Sequence, residues 1–210
     1  MIHPFPDTEP GEPIFGYTVL DPFGSAIIDA DKRVENRSKP PPARLRGRGF
    51  WIAVHTGARL YPDLDRADLT STSLLHRDPV TDEKHPPLWP ECPPFATFRR
   101  RVVLGAARVI GCVADGVDPR VDRDRWAMRG QCHWLLDPTV LRLPEPLPCD
   151  LGALGLWRLV PRVSDRPARL TPEAWAARIA EGSAVLAALR LARRDPACWR
   201  SVPSLSPGAP

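Results

Sequence analysis

The sequence predicts an α+β domain built on a small twisted β-barrel with flanking helices and a C-terminal helix, and three observations carry that expectation. Phe50-Trp51-Ile52-Ala53-Val54-His55 alternates strictly, with Trp51, Ala53 and His55 on one face and Phe50, Ile52 and Val54 on the other. Residues 102–117 are rich in Val, Ile and small side chains but are broken by Gly105 and Gly111, which suits a bent barrel strand better than a helix. The one long helix signal, opened by Thr171-Pro172-Glu173, comes only after the last strand.

The elements follow in order. Residues 15–20 alternate β-branched and aromatic side chains and predict the first strand. Asp21-Pro22 then predicts a short helix, with Asp21 as N-cap, Pro22 at the first helical position, and Phe23, Ala26 and Ile27 on one face. Residues 32–38 read as a strand with Val34 in the core, and Pro40-Pro41-Pro42 forces an extended connection after it. From about 57 to 100 no periodicity is sustained, apart from a short helix within 64–75. Two further strands, 132–137 and 153–160, are separated by the proline-rich stretch 143–149. In the long helix Thr171 caps, Pro172 stands at N1, and Trp175, Ile179, Leu186 and Leu189 form the apolar stripe; Asp195-Pro196 ends it.

Length and composition favour one decorated domain: 210 residues with 43% hydrophobic and 26% charged side chains. The expected organisation is a flexible arm over 1–14, the barrel over 15–161 with the insertion near 57–100, and the helix with a proline-rich tail over 162–210. The 27 prolines cluster in arms and loops. Five cysteines form no CxxC pair and read as reduced, and the start Met1-Ile2-His3-Pro4 carries neither a basic leader nor an apolar run. A cytoplasmic protein without a membrane partner is therefore expected. No cofactor is expected, and no metal either, because His76, His85 and Cys92 match no zinc spacing. The net charge is only +4, but arginine supplies nearly all the cations, and its flat fork of donors suits phosphate and base edges.

The run Asp31-Lys32-Arg33-Val34-Glu35-Asn36-Arg37-Ser38 resembles the Gly-x-Lys-x-x-Glu-x-Arg signature of the ASCH domain, a member of the PUA-like superfamily. The short helix ahead of it, the strand ending Ile52-Ala53-Val54-His55, the glycine-bearing segment Gly105 to Val113, and His133-Trp134-Leu135-Leu136 are similar to the family's other segments in the same order. The resemblance covers roughly residues 15–161 and implies a PUA-like barrel that binds RNA or a nucleotide.

Candidate nucleic-acid contacts are Lys32, Glu35, Asn36, Arg37, Ser38, His55, Arg46, Trp126, Arg129 and His133. Lys32 offers a cation to a phosphate or base carbonyl, and Glu35 accepts from a base amine while Arg37 meets phosphate. The competing reading makes Glu35, Arg37 and an arginine of 44–48 an ion-pair network that closes the barrel. His55 is either a satisfied strand-end histidine or a ligand contact. Trp126, set among Arg120, Arg123, Arg125 and Arg129, is either core or a base-stacking platform. Two function classes follow: an RNA- or nucleotide-binding module with a basic cleft, or a hydrolase acting on RNA or on an N-acylated cytidine. In the second, Lys32, Glu35 and His55 would be catalytic, with Glu35 activating water because the threonine of the family's amidohydrolase pattern is missing. The oligomeric state is open, with the C-terminal helix as one contact surface.

Overall fold

The computed structural model describes residues 14–46, 49–62, 64, 66–70, 87–122, 124–153 and 155–201. The expected arm, much of the insertion and the tail lie outside them. The described residues form an α+β fold with eight strands in a single sheet, ordered β2-β5-β4-β3-β1-β7, with β6 beside β4 and β8 beside β6. These strands are β1 (Phe15–Asp21), β2 (Val34–Arg37), β3 (Phe50–Leu60), β4 (Val102–Ala114), β5 (Cys132–Leu136), β6 (Thr139–Pro148), β7 (Gly155–Arg158) and β8 (Trp199–Ser201). The helices are α1 (Phe23–Asp29), α2 (Arg66–Thr70), α3 (Pro119–Asp122) and α4 (Pro172–Ala192). Only β1 and β3 run parallel, because the chain crosses between them through α1 and β2.

The expected closed barrel is corrected to an open, rolled sheet: β2 and β7 end the ladder and do not pair with each other. Four interstrand steps separate β2 from β1, which in a flat sheet is roughly 19 Å, beyond the joint reach of two side chains. Yet the Tyr17 hydroxyl of β1 donates to Glu35 of β2 at 2.7 Å. The sheet therefore rolls until side chains bridge the gap that no backbone ladder closes. Two register shifts in β4, at Val103/Gly105 and at Val109/Gly111, supply places to bend.

Strand alternation divides the core as the sequence predicts. Phe50, Ile52 and Val54 join Tyr17, Val109 and Trp134 inside the roll, under Ile27 and Ile28 of α1. Trp51 and Ala53 face outward with Val103, Ala106 and Leu141, where Val185, Leu189 and Ala192 of α4 cover them. The long helix thus packs on the sheet. Its approach is close enough that a Cβ on Gly182 would lie 2.0 Å from the Leu159 carbonyl oxygen. The Thr171 hydroxyl accepts from Ala174 N, and Pro172 opens the first turn, as expected. Trp175, Gly182, Val185, Leu189 and Ala192 are its buried line, so Ile179 and Leu186 only flank it.

Three local expectations change. At α1 the N-cap position belongs to Pro22, while Asp21 Oδ1, one residue earlier, accepts from both the amide and the hydroxyl of Ser25 at 2.9 Å. The proline-rich stretch 143–149 is largely strand, part of β6. Cys149 N donates toward β4, to Arg101 O, so neighbouring Pro148 faces the opposite edge, while Pro144 and Pro146 lie where the β4–β6 register shifts, between Arg142 and Leu147. Their missing N–H groups thus fall where no ladder needs them. The third is β8, a short strand after α4 that pairs with the start of β6 and ties the C-terminal segment to the sheet.

Candidate functional site

The strand that follows α1 concentrates charge where burial makes it costly. Lys32 is 2% exposed and Glu35 6%, and Lys32 Nζ meets Glu35 Oε2 at 2.6 Å and the Val34 carbonyl at 2.5 Å. The other Glu35 oxygen accepts the Tyr17 hydroxyl. One carboxylate thus links an ammonium to a phenol, and the polar side-chain atoms of these three residues are all partnered. Burial, followed by the adjacent Glu35 charge, pushes the Tyr17 hydroxyl well above its ordinary pKa. Lys32 Nζ stands 6.0 Å from the ring centres of both Phe23 and Trp126, within cation–π range. On the same side, the Arg37 guanidinium lies 5.3 Å from the Tyr17 ring.

The cover over Lys32 is built by the loop after α3. Trp126 is 3% exposed, its indole N–H donates to Asp31 Oδ1 at 3.0 Å, and Asp31 also pairs with Arg125. Trp126 N donates to Asp124 Oδ1 at 2.7 Å, and burial raises the Asp124 pKa against the lowering effect of Lys32. Asn36 pins the loop from β2: its Nδ2 donates to Trp126 O at 2.7 Å and its Oδ1 accepts from Met128 N at 2.9 Å. Arg33 serves architecture, donating to the carbonyls of Ile27 and Ala30 at the end of α1; burial lowers its pKa to about 10.

The predicted site residues therefore divide into groups. Lys32, Glu35, Arg37 and Trp126 come together. Asn36 turns to the other face of β2, where Oδ1 meets His133 Nδ1 at 3.1 Å. His55 stands across the sheet: Tyr17 and Thr18 are consecutive on β1, Tyr17 reaches Glu35, and Thr18 reaches His55 at 3.0 Å. Ser38, Arg46 and Arg129 are exposed, and Arg46 Nε donates to Pro41 O. Among the described residues, Trp126, Phe23 and Tyr17 pack around Lys32, and the Lys32 charge is met by Glu35. A groove of about 470 Å³ between β6 and α4, lined by Leu143, Leu147, Ala188, Leu191 and Cys198 among others, includes none of them.

Tyr17, Phe23, Asp31 and Asp124 belong to the cluster, although the sequence did not point to them as site residues. For Tyr17 and Phe23 the available signal was position only, on the strand and helix that lead into the Lys32 segment. All five cysteines are free thiols, and burial raises the pKa of Cys92 and Cys149 to about 11, which leaves them unreactive. No described helix is long and apolar enough to cross a membrane. Fold and cluster together define an α+β protein with a buried lysine–glutamate–tyrosine chain on the inner face of a rolled mixed sheet. The sequence matches none of the protein-family models and none of the curated proteins with which it was compared.

Proposed function

We propose that the chain is an ASCH-like nucleic-acid-binding module that receives an RNA base or a nucleotide at the Lys32–Glu35–Tyr17 chain, with Arg37 and the exposed cations Lys39, Arg46 and Arg129 near phosphate. The observation that carries the reading is the buried ion pair beneath three aromatic rings. Burying two charges costs several kcal/mol per ion, and a packed apolar pair often holds a fold equally well. Lys32 and Glu35 are thus poorly explained as architecture alone, whereas an ammonium, a carboxylate and a phenol side by side supply the donors and acceptors that read a base edge. Aromatic rings around them suit base stacking. Binding at this place requires Trp126 to swing away, with its ties to Asp31 and Asn36 exchanged for contacts to the ligand.

The test compares the apolar double variant Lys32→Met/Glu35→Leu with the wild type. The reading expects the variant to stay folded, at a cost of about 1–3 kcal/mol for the Tyr17 hydroxyl left without its acceptor. Its affinity for single-stranded RNA, measured by fluorescence anisotropy at several salt concentrations, should fall at least tenfold. A folded double variant with unchanged RNA affinity overturns it. One observation favours a hydrolase as the second reading: the continuous hydrogen-bonded path from Tyr17 through Glu35 to Lys32 is a ready route for protons. Incubation with mixed RNA and with N4-acylcytidines, followed by chromatography, separates the readings, since turnover lost in Glu35→Gln belongs to the hydrolase.

A further inference from the structure

Where β4 ends, α3 passes and β5 begins, three ligand-bearing side chains converge. Asp115, Asp122 and His133 each direct one donor atom into a common space, and these atoms all lie within 4.8 Å of one another. His133 is 0% exposed. Its Nε2 is 3.7 Å from Asp115 Oδ1 and 4.0 Å from Asp122 Oδ1, beyond hydrogen-bond range, and among the described residues it has no hydrogen-bond partner.

The state of that nitrogen follows from its neighbour. Asn36 Nδ2 donates to Trp126 O, which fixes the orientation of the amide, and Oδ1 then accepts from Met128 N. An oxygen only accepts, so His133 Nδ1 at 3.1 Å must carry the proton it donates. In neutral imidazole Nε2 is then a bare lone pair, buried and aimed at two carboxylates. Lone pair facing anions is repulsive unless something positive lies between them. The carboxylates are also held in place: Asp115 Oδ2 accepts from Gly130 N at 2.7 Å and Asp122 Oδ1 from Gly116 N at 3.1 Å. Both glycines adopt positive φ, 76° at Gly116 and 74° at Gly130, the backbone form that lets each N–H turn toward its acid.

We propose that Asp115, Asp122 and His133 form a binding site for one divalent transition-metal ion of the zinc type. One imidazole nitrogen and two carboxylate oxygens are a borderline donor set that suits zinc and its neighbours, whereas calcium takes oxygen alone. Bonds of about 2.0–2.2 Å are reached after side-chain movements of roughly a few tenths of an ångström. Asn36 is the outer partner that sets the histidine tautomer, a standard feature of metal-bound imidazole. The side chains of Asp115 and Asp122 are 35% and 26% exposed, so a hydrated ion has a path in and keeps water on its open side. The zinc test does not rest on the nucleic-acid reading, although Asn36 joins the two sites.

The test is a calorimetric titration of the chelator-stripped full chain with Zn²⁺ alone. One saturable equivalent is expected, weakened at least tenfold in Asp115→Asn and in Asp122→Asn, whose amide oxygens still accept from Gly130 and Gly116 and preserve the fold. Substituting Co²⁺ should give ligand-field bands without a sulfur charge-transfer band, which excludes the five cysteines as ligands. Absence of stoichiometric binding, equal affinity in both asparagine variants, or a sulfur band overturns the proposal. Equal affinity would leave the cluster as an imidazolium held between two carboxylates.

Discussion

Two buried histidines carry opposite hydrogen-bond accounts. His55 is 2% exposed, and its Nε2 donates to Cys149 O at 2.8 Å while its Nδ1 accepts from the Thr18 hydroxyl, which itself accepts from Trp157 Nε1 at 3.1 Å. Both nitrogens are used, and burial lowers the His55 pKa, in keeping with a neutral ring. The seat is tight: a Cβ on Gly152 would stand 2.3 Å from His55 Cε1. His133 is equally buried but leaves one nitrogen facing two acids. A histidine with every bond met holds a fold together; one with a lone pair left over is where a ligand belongs.

The predictions press on that contrast in order of size. Glu35→Ala should cost about 3–5 kcal/mol in urea unfolding, because it strands a buried Lys32 charge. A loss below about 1 kcal/mol would mean that Lys32 escapes to water and that the inner face is not sealed. His55→Leu should cost about 3 kcal/mol, since the Thr18 hydroxyl and Cys149 carbonyl lose their partner, and should leave zinc affinity unchanged. Loss of zinc binding in that variant would erase the distinction between the two histidines.

Asp21 offers a pH-dependent measure of burial on the inner side. Desolvation raises its pKa from 3.8 to about 6 against the opposing bonds from Ser25. Between those values the folded chain keeps a proton that the unfolded chain releases, so this residue's contribution to stability falls as pH rises from 3.8 to about 6. The loss amounts to roughly 3 kcal/mol at most. Asp21→Asn should remove that slope relative to the wild type in unfolding measured across the window; parallel profiles would contradict it. The smallest effect is the metal's: Zn²⁺ at ten times its Kd should stabilise the wild type by about 1.4 kcal/mol and Asp122→Asn by much less at the same concentration.

Much of this architecture was written in local pattern. Period-two alternation marked β1 and β3, and the Thr171-Pro172 cap marked α4, because those signals arise within a few residues. The prolines of β6 argued against a strand in the residue pattern alone; they are tolerated at an open edge and at a register shift, facts of pairing that no window of sequence contains. The roll of the sheet rests on Tyr17 meeting Glu35, 18 positions apart. Lys32 and Glu35 were legible at a spacing of three, but their sealing depends on Trp126 arriving from a distant loop. His133 was noticed as a base contact, and its two acids were not, since they join it only through the β4–β5 connection.

The most direct measurement is two-bond ¹H–¹⁵N spectroscopy of the histidine-labelled protein at neutral pH, before and after one equivalent of Zn²⁺. His55 should appear with its proton on Nε2 and stay unmoved, while His133 should appear with its proton on Nδ1 and shift at Nε2 when zinc is added. The same tautomer at both residues, or a His133 Nε2 signal indifferent to zinc, would contradict the contrast between a closed and an open buried histidine.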